Sequence, residues 1–566
     1  MKYKLIKYFL LCGLGIAMTK QTQASSFYGV ICNDTIWSDT VNVTGDIFVD
    51  SGATLIILPG TMVLFADTAD WDTACGIDKK CDLIVRGKLK AKGTEADSIK
   101  LTSLGRWGMV GFQYSFKDTL LYTYLSKLCL GIYCDYSEIF MGNSCIDDVY
   151  YSDTLDNHLG AGVYAFKSRI SLNGNMITNC QRKNAKTLSN VAAVYAETSY
   201  CVIKKNYINS IKGVDDYSSE WYLPPYPFAY GLFVVGGDTL VCDSNTINNI
   251  SGGGGYYLMG TMGRSGGSGM GIKISNTSYA WLTHNKISNC SGGLGEDLEI
   301  GYSGVSAGAG GDGVGIQTFG DVRLMAFNNN LIDSCSGGKG GYNLNYSSWS
   351  GKGGNGICFD IDLIGLDKCN NCRFAFAKGG IGWPNGYGIG VKINDFLDPI
   401  IIGGISGEQN TIMNNVDYNI WNQSINNVNA TYNYWGTNDT TLIRAKIYDH
   451  FVNAALGYVL IDPLVVSVEG EPGVAHIFNF ELQQNTPNPF RIKTSIKYQL
   501  KKEGLVSLKI FNLEGQLVKT LVSEVQPAGT HQINWDAKAA KVADGIYFYC
   551  LEFEGRKSVK RMTLIK

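Results

Sequence analysis

Short runs of alternating apolar and polar residues, cut by Gly, Pro and Asn, fill the chain from residue 27 to about 465. The stretch Gly45-Asp-Ile-Phe-Val-Asp-Ser-Gly-Ala-Thr-Leu-Ile-Ile-Leu-Pro-Gly-Thr-Met-Val-Leu-Phe reads strand, turn, strand, turn. A second copy, Leu83-Ile-Val-Arg-Gly-Lys-Leu-Lys-Ala-Lys-Gly-Thr, ends in Ile99-Lys-Leu-Thr-Ser. Strands of four or five residues at this spacing, with no helical periodicity between them, predict successive turns of a solenoid.

A phrase Asn-x-Ile punctuates the later turns, at Asn175, Asn206, Asn245, Asn285, Asn330 and Asn410. Three copies continue into a glycine tail, as in Asn285-Lys-Ile-Ser-Asn-Cys-Ser-Gly-Gly. Gly271 and Gly293, 22 residues apart, bracket one coil, whereas Asn245, Asn285 and Asn330 follow one another at 40 and 45 residues. Each of these repeats is therefore one coil plus an insertion leaving from the same corner. The copy between Asn330 and Asn410 is Cys372-Arg-Phe-Ala-Phe, with Cys in the place of Asn. Asn suits a corner because it tolerates left-handed dihedrals and its amide can bond the equivalent Asn above and below. Cys180, Cys290 and Cys335 share one slot of the repeat and are expected to form a buried, unreactive ladder.

With 566 residues, 69 of them Gly, and only 17% charged residues, the chain reads as all-β, in two units of unequal size. A formal charge of -2 gives no long-range attraction for nucleic acid. Lys2, Lys4 and Lys7, the apolar run from Tyr8 to Met18 and Thr22-Gln-Ala24 predict a signal peptide at residues 1–24. That run is shorter than the roughly 20 residues a membrane span needs, and no later run reaches it, so no transmembrane segment is predicted. Export permits disulfides, and Cys75 with Cys81, or Cys129 with Cys134, could staple hairpins. Cys369-Asn-Asn-Cys372 is half a zinc site without a second pair, so no metal is predicted there.

Residues 27 to about 465 resemble the pectate-lyase-like right-handed parallel β-helix proteins. The carrying phrases are Thr54-Leu-Ile-Ile-Leu-Pro-Gly-Thr, Gly87-Lys-Leu-Lys-Ala-Lys-Gly-Thr and Asn433-Tyr-Trp-Gly-Thr, followed by Ile447-Tyr-Asp and Asp462-Pro. Residues 479–566 resemble the type A C-terminal sorting domain of the type IX secretion system. There the phrases are Phe480-Glu-Leu-Gln-Gln-Asn-Thr-Pro-Asn-Pro-Phe, Val506-Ser-Leu-Lys-Ile-Phe-Asn-Leu-Glu-Gly-Gln-Leu-Val, Pro527-Ala-Gly-Thr-His and Gly545-Ile-Tyr-Phe-Tyr. The pattern departs at Arg491-Ile-Lys, where relatives continue Asn-Pro-Ser. The resemblances imply a right-handed parallel β-helix at 25–465 with Gly-rich loop insertions, a linker at 466–478, and a small immunoglobulin-like β-sandwich at 479–566. They also imply delivery to the cell surface or beyond by the type IX secretion machinery.

Enzymes that resemble this fold carry acids with Arg or Lys on the outer face, and those sets are missing here. Asp147-Asp148 and Asp215-Asp216 stand as lone pairs, there is no Gly-His-Gly, and no catalytic residue is assigned. Calcium is left open at residues 308–312, which are similar to one turn of a calcium β-roll, and no other cofactor is indicated. The ligand-binding candidates are Tyr257, Tyr302, Trp349 and Trp383 in the insertions, which also carry Tyr342 and Tyr387, and Trp221, Tyr222 and Tyr226 in an earlier aromatic loop at 215–228. Such rings either stack on sugars or pack on glycine backbone to order the loops. The insertions lack apolar residues for an interior, which argues against their stacking as coils of their own. The expected function is binding of a carbohydrate or surface polymer, with a polysaccharide lyase or glycoside hydrolase as the alternative.

Overall fold

The computed structural model describes residues 25–67, 80–152, 160–183, 190–213, 228–255, 265–297, 307–343, 348–349, 351–366, 369–396, 400–403, 409–462, 480–500, 502–512, 517–538, 542–553 and 556–565. The signal peptide at 1–24 and the linker at 466–478 lie outside them, as does Cys75. The chain divides into two compact units, Met1–Val466 and Ser467–Lys566.

The first unit is a parallel β-helix with three strands per coil. One coil comprises Gly160–Phe166, Arg169–Asn173 and Met176–Lys183, which belong to stacks I, II and III respectively. Every strand in a stack pairs in parallel with its equivalent in the next coil, so a side chain always meets its own counterpart. In stack I the inward row runs Ile132, Val163, Val194, Leu232, Ile272, Ile316, Phe359, Val391 and Ile420. Stack III supplies Ile146, Ile177, Ile208, Ile247, Ile287, Ile332, Phe374 and Ile412. Burial of these rows is nearly complete and drives the stacking. Where Phe374 stands in the Ile row, Phe327 and Phe359 join it from the other stacks, with the latter two rings stacked at 4.5 Å. Helix Thr440–Arg444, capped by Asp439, follows the last full coil.

The recurrent Asn residues line the inside of the corner between stacks II and III. Asn245 Nδ2 donates to Asn285 Oδ1 at 3.0 Å, and Asn285 Nδ2 donates to Asn330 Oδ1 at 3.1 Å. The second proton of each amide goes to a backbone carbonyl, such as Cys242 O at 2.9 Å from Asn285. Asn175, Asn206 and Asn410 repeat the pattern, with Asn433 accepting from Asn410 and Ser144 donating its backbone N–H to Asn175. The left-handed residue is not the Asn but the one before it: Gly174, Lys205, Ser244, His284 and Asn329, with φ between 55° and 70°. The Asn is retained for its side chain, which pairs backbone groups that the turn would otherwise leave orphaned. Cys180 and Cys290 share a row with Ile211 and Ile250 between them, and Cys335 is fully buried as well. Cys129 and Cys134 carry free thiols and belong to separate apolar clusters, Cys134 inside the coil and Cys129 outside it, so no staple joins them.

The insertions, contrary to expectation, stack as an array of their own. Each leaves stack III as an extended outgoing limb and re-enters stack I by a returning limb. Outgoing limbs bond at every third residue: Gly252 N to Ser291 O and Gly255 N to Leu294 O, then Gly292 to Ser336 and Gly295 to Lys339. Returning limbs do the same, with Gly266 N to Ala309 O and Gly269 N to Asp312 O. A zigzag ties the two layers together: Gly386 N to Gly380 O, Gly380 to Gly354, Gly354 to Gly338, Gly338 to Gly311, Gly311 to Gly293 and Gly293 to Gly267. A period of three with bonds made to neighbouring segments matches the three-residue turn of a polyproline II helix, which makes no hydrogen bonds of its own. No apolar interior is required because backbone packs on backbone; a Cβ at Gly338 would fall on the Gly293 carbonyl.

The second unit is a β-sandwich. A sheet of Phe480–Leu482, Lys493–Leu500 and Gly529–Asp536 faces one of Leu517–Gln526, Gly504–Phe511, Gly545–Phe553 and Arg556–Leu564. All its strand pairs are antiparallel, over a core that includes Phe490, Tyr498, Trp535 and Tyr549.

Candidate functional site

The outward row of stack I is a single file of large side chains: Tyr133, Tyr164, Tyr195, Phe233, Lys273, Gln317, Asp360, Lys392, Trp421 and Tyr448. Parallel register holds neighbours ~4.8 Å apart, so the file runs for roughly 40 Å along the axis. All are partly exposed except Asp360, which is buried.

The file has three parts. At one end the rings of Tyr133, Tyr164, Tyr195 and Phe233 succeed one another at 5.3, 4.9 and 5.3 Å. In the middle, Asp360 accepts from Gln317 Nε2 at 2.9 Å, Asn394 Nδ2 at 2.8 Å and Lys392 Nζ at 3.3 Å. Lys273 Nζ lies 5.3 Å from the Phe233 ring centre and 5.7 Å from that of Tyr230. At the other end Trp421 touches Tyr387, Tyr418 and Tyr448, with ring centres 5.0 to 5.3 Å apart. The Trp421 Nε1 is buried without a hydrogen-bond partner.

The two flanks differ. Toward the insertions a buried row of Ala192, Tyr230, Met270, Val314, Ile357 and Ile389 supports the file. Beyond it the returning limbs enter the strands through a ladder of side-chain acceptors: Asp312 N donates to Ser268 Oγ, Asn355 N to Asp312 Oδ1 and Tyr387 N to Asn355 Oδ1, at 3.1, 2.6 and 3.0 Å. Burial raises the Asp312 carboxyl above its ordinary range, and the nearby charge of Asp360 adds to the effect. On the opposite flank stand Asp135 and Glu197, and the Tyr195 hydroxyl donates to Glu197 at 3.1 Å. Burial, reinforced by Glu197, pushes the Tyr164 phenol up to about 12, so the file stays neutral there at ordinary pH. Burial also lowers the Lys273 ammonium, against the raising effect of Asp360.

Of the aromatics expected to bind, Trp221, Tyr222, Tyr226, Tyr257 and Tyr302 lie outside the described residues. Ser348–Trp349 pairs antiparallel with Tyr342–Asn343 within one insertion. Trp383 is 77% exposed and its backbone N–H donates to Gly351 O at 2.9 Å. Among the described insertion rings, Tyr387 joins the file through Trp421. The ring file itself went unnoticed in the sequence, although Val163-Tyr-Ala, Val194-Tyr-Ala and Leu232-Phe-Val repeat one pattern in the strands. Among the described residues no group of three or more His, Cys, Asp or Glu is placed to hold a metal ion.

Residues 492–552 match the FlgD Ig-like domain family. The match agrees with the antiparallel sandwich of the second unit and leaves the β-helix to be read from its own geometry. No curated protein matches the chain. No described helix is long and apolar enough to cross a membrane.

Proposed function

We propose that the protein is a surface β-helix that binds a polysaccharide along the outer file of stack I, and that its C-terminal sandwich acts as a sorting domain for export through the type IX machinery. One observation carries the binding reading: four successive half-exposed rings, continued by hydrogen-bonding side chains and closed by a second aromatic group, all in one register. Aromatic faces bury the apolar faces of sugar rings, while the amides and charged groups in the middle can pair with hydroxyls. A linear ligand suits a linear file. The export reading is supported by the apolar leader pattern at 1–24 and by the sorting-domain phrases of 479–566.

Affinity electrophoresis against neutral and acidic glycans tests the binding reading. Tyr164→Ala with Tyr195→Ala should abolish retardation, and equal retardation of the double variant would refute the file as the site. Deleting residues 479–566 should trap the rest of the chain in the cell envelope.

Hydrolysis or elimination is a second reading, favoured by Asp312. Its carboxyl is held toward the protonated state within reach of the charge of Asp360, a pairing suited to acid and base roles. Glycan cleavage that Asp312→Asn and Asp360→Asn both remove would establish it.

A further inference from the structure

We infer that Lys273 is a solitary anion-accepting subsite, so that the file selects a mainly neutral polysaccharide with widely spaced acidic substituents in preference to a polyanion. The inference rests on the binding reading above and specifies its ligand.

Lys273 forms no hydrogen bond or ion pair with any described residue, although it is partly buried in the middle of the file. Its row neighbours are Phe233 on one side and Gln317 on the other, neither of which carries a charge. The rings of Tyr230 and Phe233 offset part of its desolvation, but a partly desolvated ammonium without an acceptor is costly unless an anion arrives with the ligand. The other ammonium of the file, Lys392, is already paired with Asp360, whose carboxylate also accepts from Gln317 and Asn394. The charge of Asp360 also reaches Lys273, but with two ammonium groups to one carboxylate the middle of the file keeps one positive charge in excess.

The aromatic end points the same way. Tyr133, Tyr164, Tyr195 and Phe233 span four coils without a cation in the file, and the flank beside them carries two acids, Asp135 and Glu197, against one ammonium, Lys167. A polymer with a carboxylate on every sugar would set several negative charges over neutral rings, beside a flank on which Lys167 offsets only one of the two acids. A polymer that is neutral over this stretch and anionic at the Lys273 level meets no such penalty. The acceptor chemistry is shared by carboxylate, sulfate and phosphate, each of which an ammonium binds as a point charge.

The test uses the full chain with glucan, mannan and galactan, each supplied unmodified, lightly carboxymethylated, lightly sulfated and heavily carboxymethylated. Light substitution should tighten binding about tenfold over the neutral polymer, a gain that fades with added salt. Lys273→Met should erase the difference between lightly substituted and neutral polymer, whatever its neutral-polymer affinity, and circular dichroism with the unfolding midpoint shows that the variant is folded. The carboxymethyl and sulfate arms identify which anion is preferred. The inference is overturned if the heavily substituted polymers bind tightest, or if Lys273→Met keeps the gain. Failure of every polymer, the neutral ones included, would instead remove the binding reading on which it depends.

Discussion

Replacing Cys372 by Asn should repair the one break in the amide ladder. In the present structure Asn330 Nδ2 keeps its bond to Leu282 O at 2.8 Å, but toward the next coil it meets the Cys372 sulfur at 3.9 Å in place of an amide oxygen, and the thiol lies 3.7 Å from the Phe327 carbonyl. In intact coils the same positions hold an amide that accepts from the backbone N–H and Nδ2 of the Asn below and donates to a carbonyl and to the Asn above, as Asn285 does with Asn245, Cys242 and Asn330. Cys372→Asn would therefore add about four hydrogen bonds at roughly 1 kcal/mol each, less about 2 kcal/mol for burying the new amide. The expected net gain is about 2 kcal/mol. Native-state hydrogen exchange reads it directly, because the Asn330 amide should exchange roughly thirtyfold more slowly, and the urea midpoint of the solenoid should rise. Cys372→Ala serves as the control that removes the thiol without supplying an amide. Equal exchange in the Asn and Ala variants would show that the ladder does not close and that the reasoning is wrong.

Gly338→Ala should disorder the insertions, since the new methyl group collides with the Gly293 carbonyl, whereas Lys339→Ala, at an exposed position, should be neutral; limited proteolysis separates the two. Burial raises the Asp118 carboxyl from 3.8 to about 6, even though it accepts from Ser115 Oγ and Leu89 N. Because the folded pKa is the higher one, its contribution is full below about pH 4 and is lost as pH rises through 6, a decline of about 3 kcal/mol that Asp118→Asn should remove from a denaturation series. Cys180, Cys290 and Cys335 should resist a maleimide in the folded chain and react on unfolding. All three are fully buried; burial raises Cys180, the Cys335 thiol and burial raise Cys290, and Cys335, placed between the thiols of Cys290 and Cys358, is raised too.

The coil was legible in the sequence because its signals recur by residue type. Asn175, Asn206, Asn245 and Asn285 are chosen for a side-chain bond that only an amide makes in both directions, so selection repeats the letter. The left-handed position just before them is filled by Gly, Lys, Ser, His or Asn, because it needs a dihedral and not a chemistry, and it leaves no pattern. The order of the insertions was hidden for a related reason: backbone packed on backbone produces no apolar periodicity, so Gly292, Gly293 and Gly295 resemble a flexible loop. The file was overlooked because Tyr164 and Tyr195 are ordinary strand formers, and only the parallel register reveals that they stand in line.

The zigzag from Gly386 down to Gly267 also constrains how such a protein can change in length. A coil cannot be duplicated, deleted or transplanted by itself, because its insertion is a rung in a second array whose contacts repeat every three residues. A recombinant that shortens one limb by a single residue would misplace each later amide against its acceptor in two layers. Changes that preserve both arrays must exchange whole repeats, or shorten both limbs in steps of three, so the part of the chain that most resembles a tolerant loop is the part least free to vary.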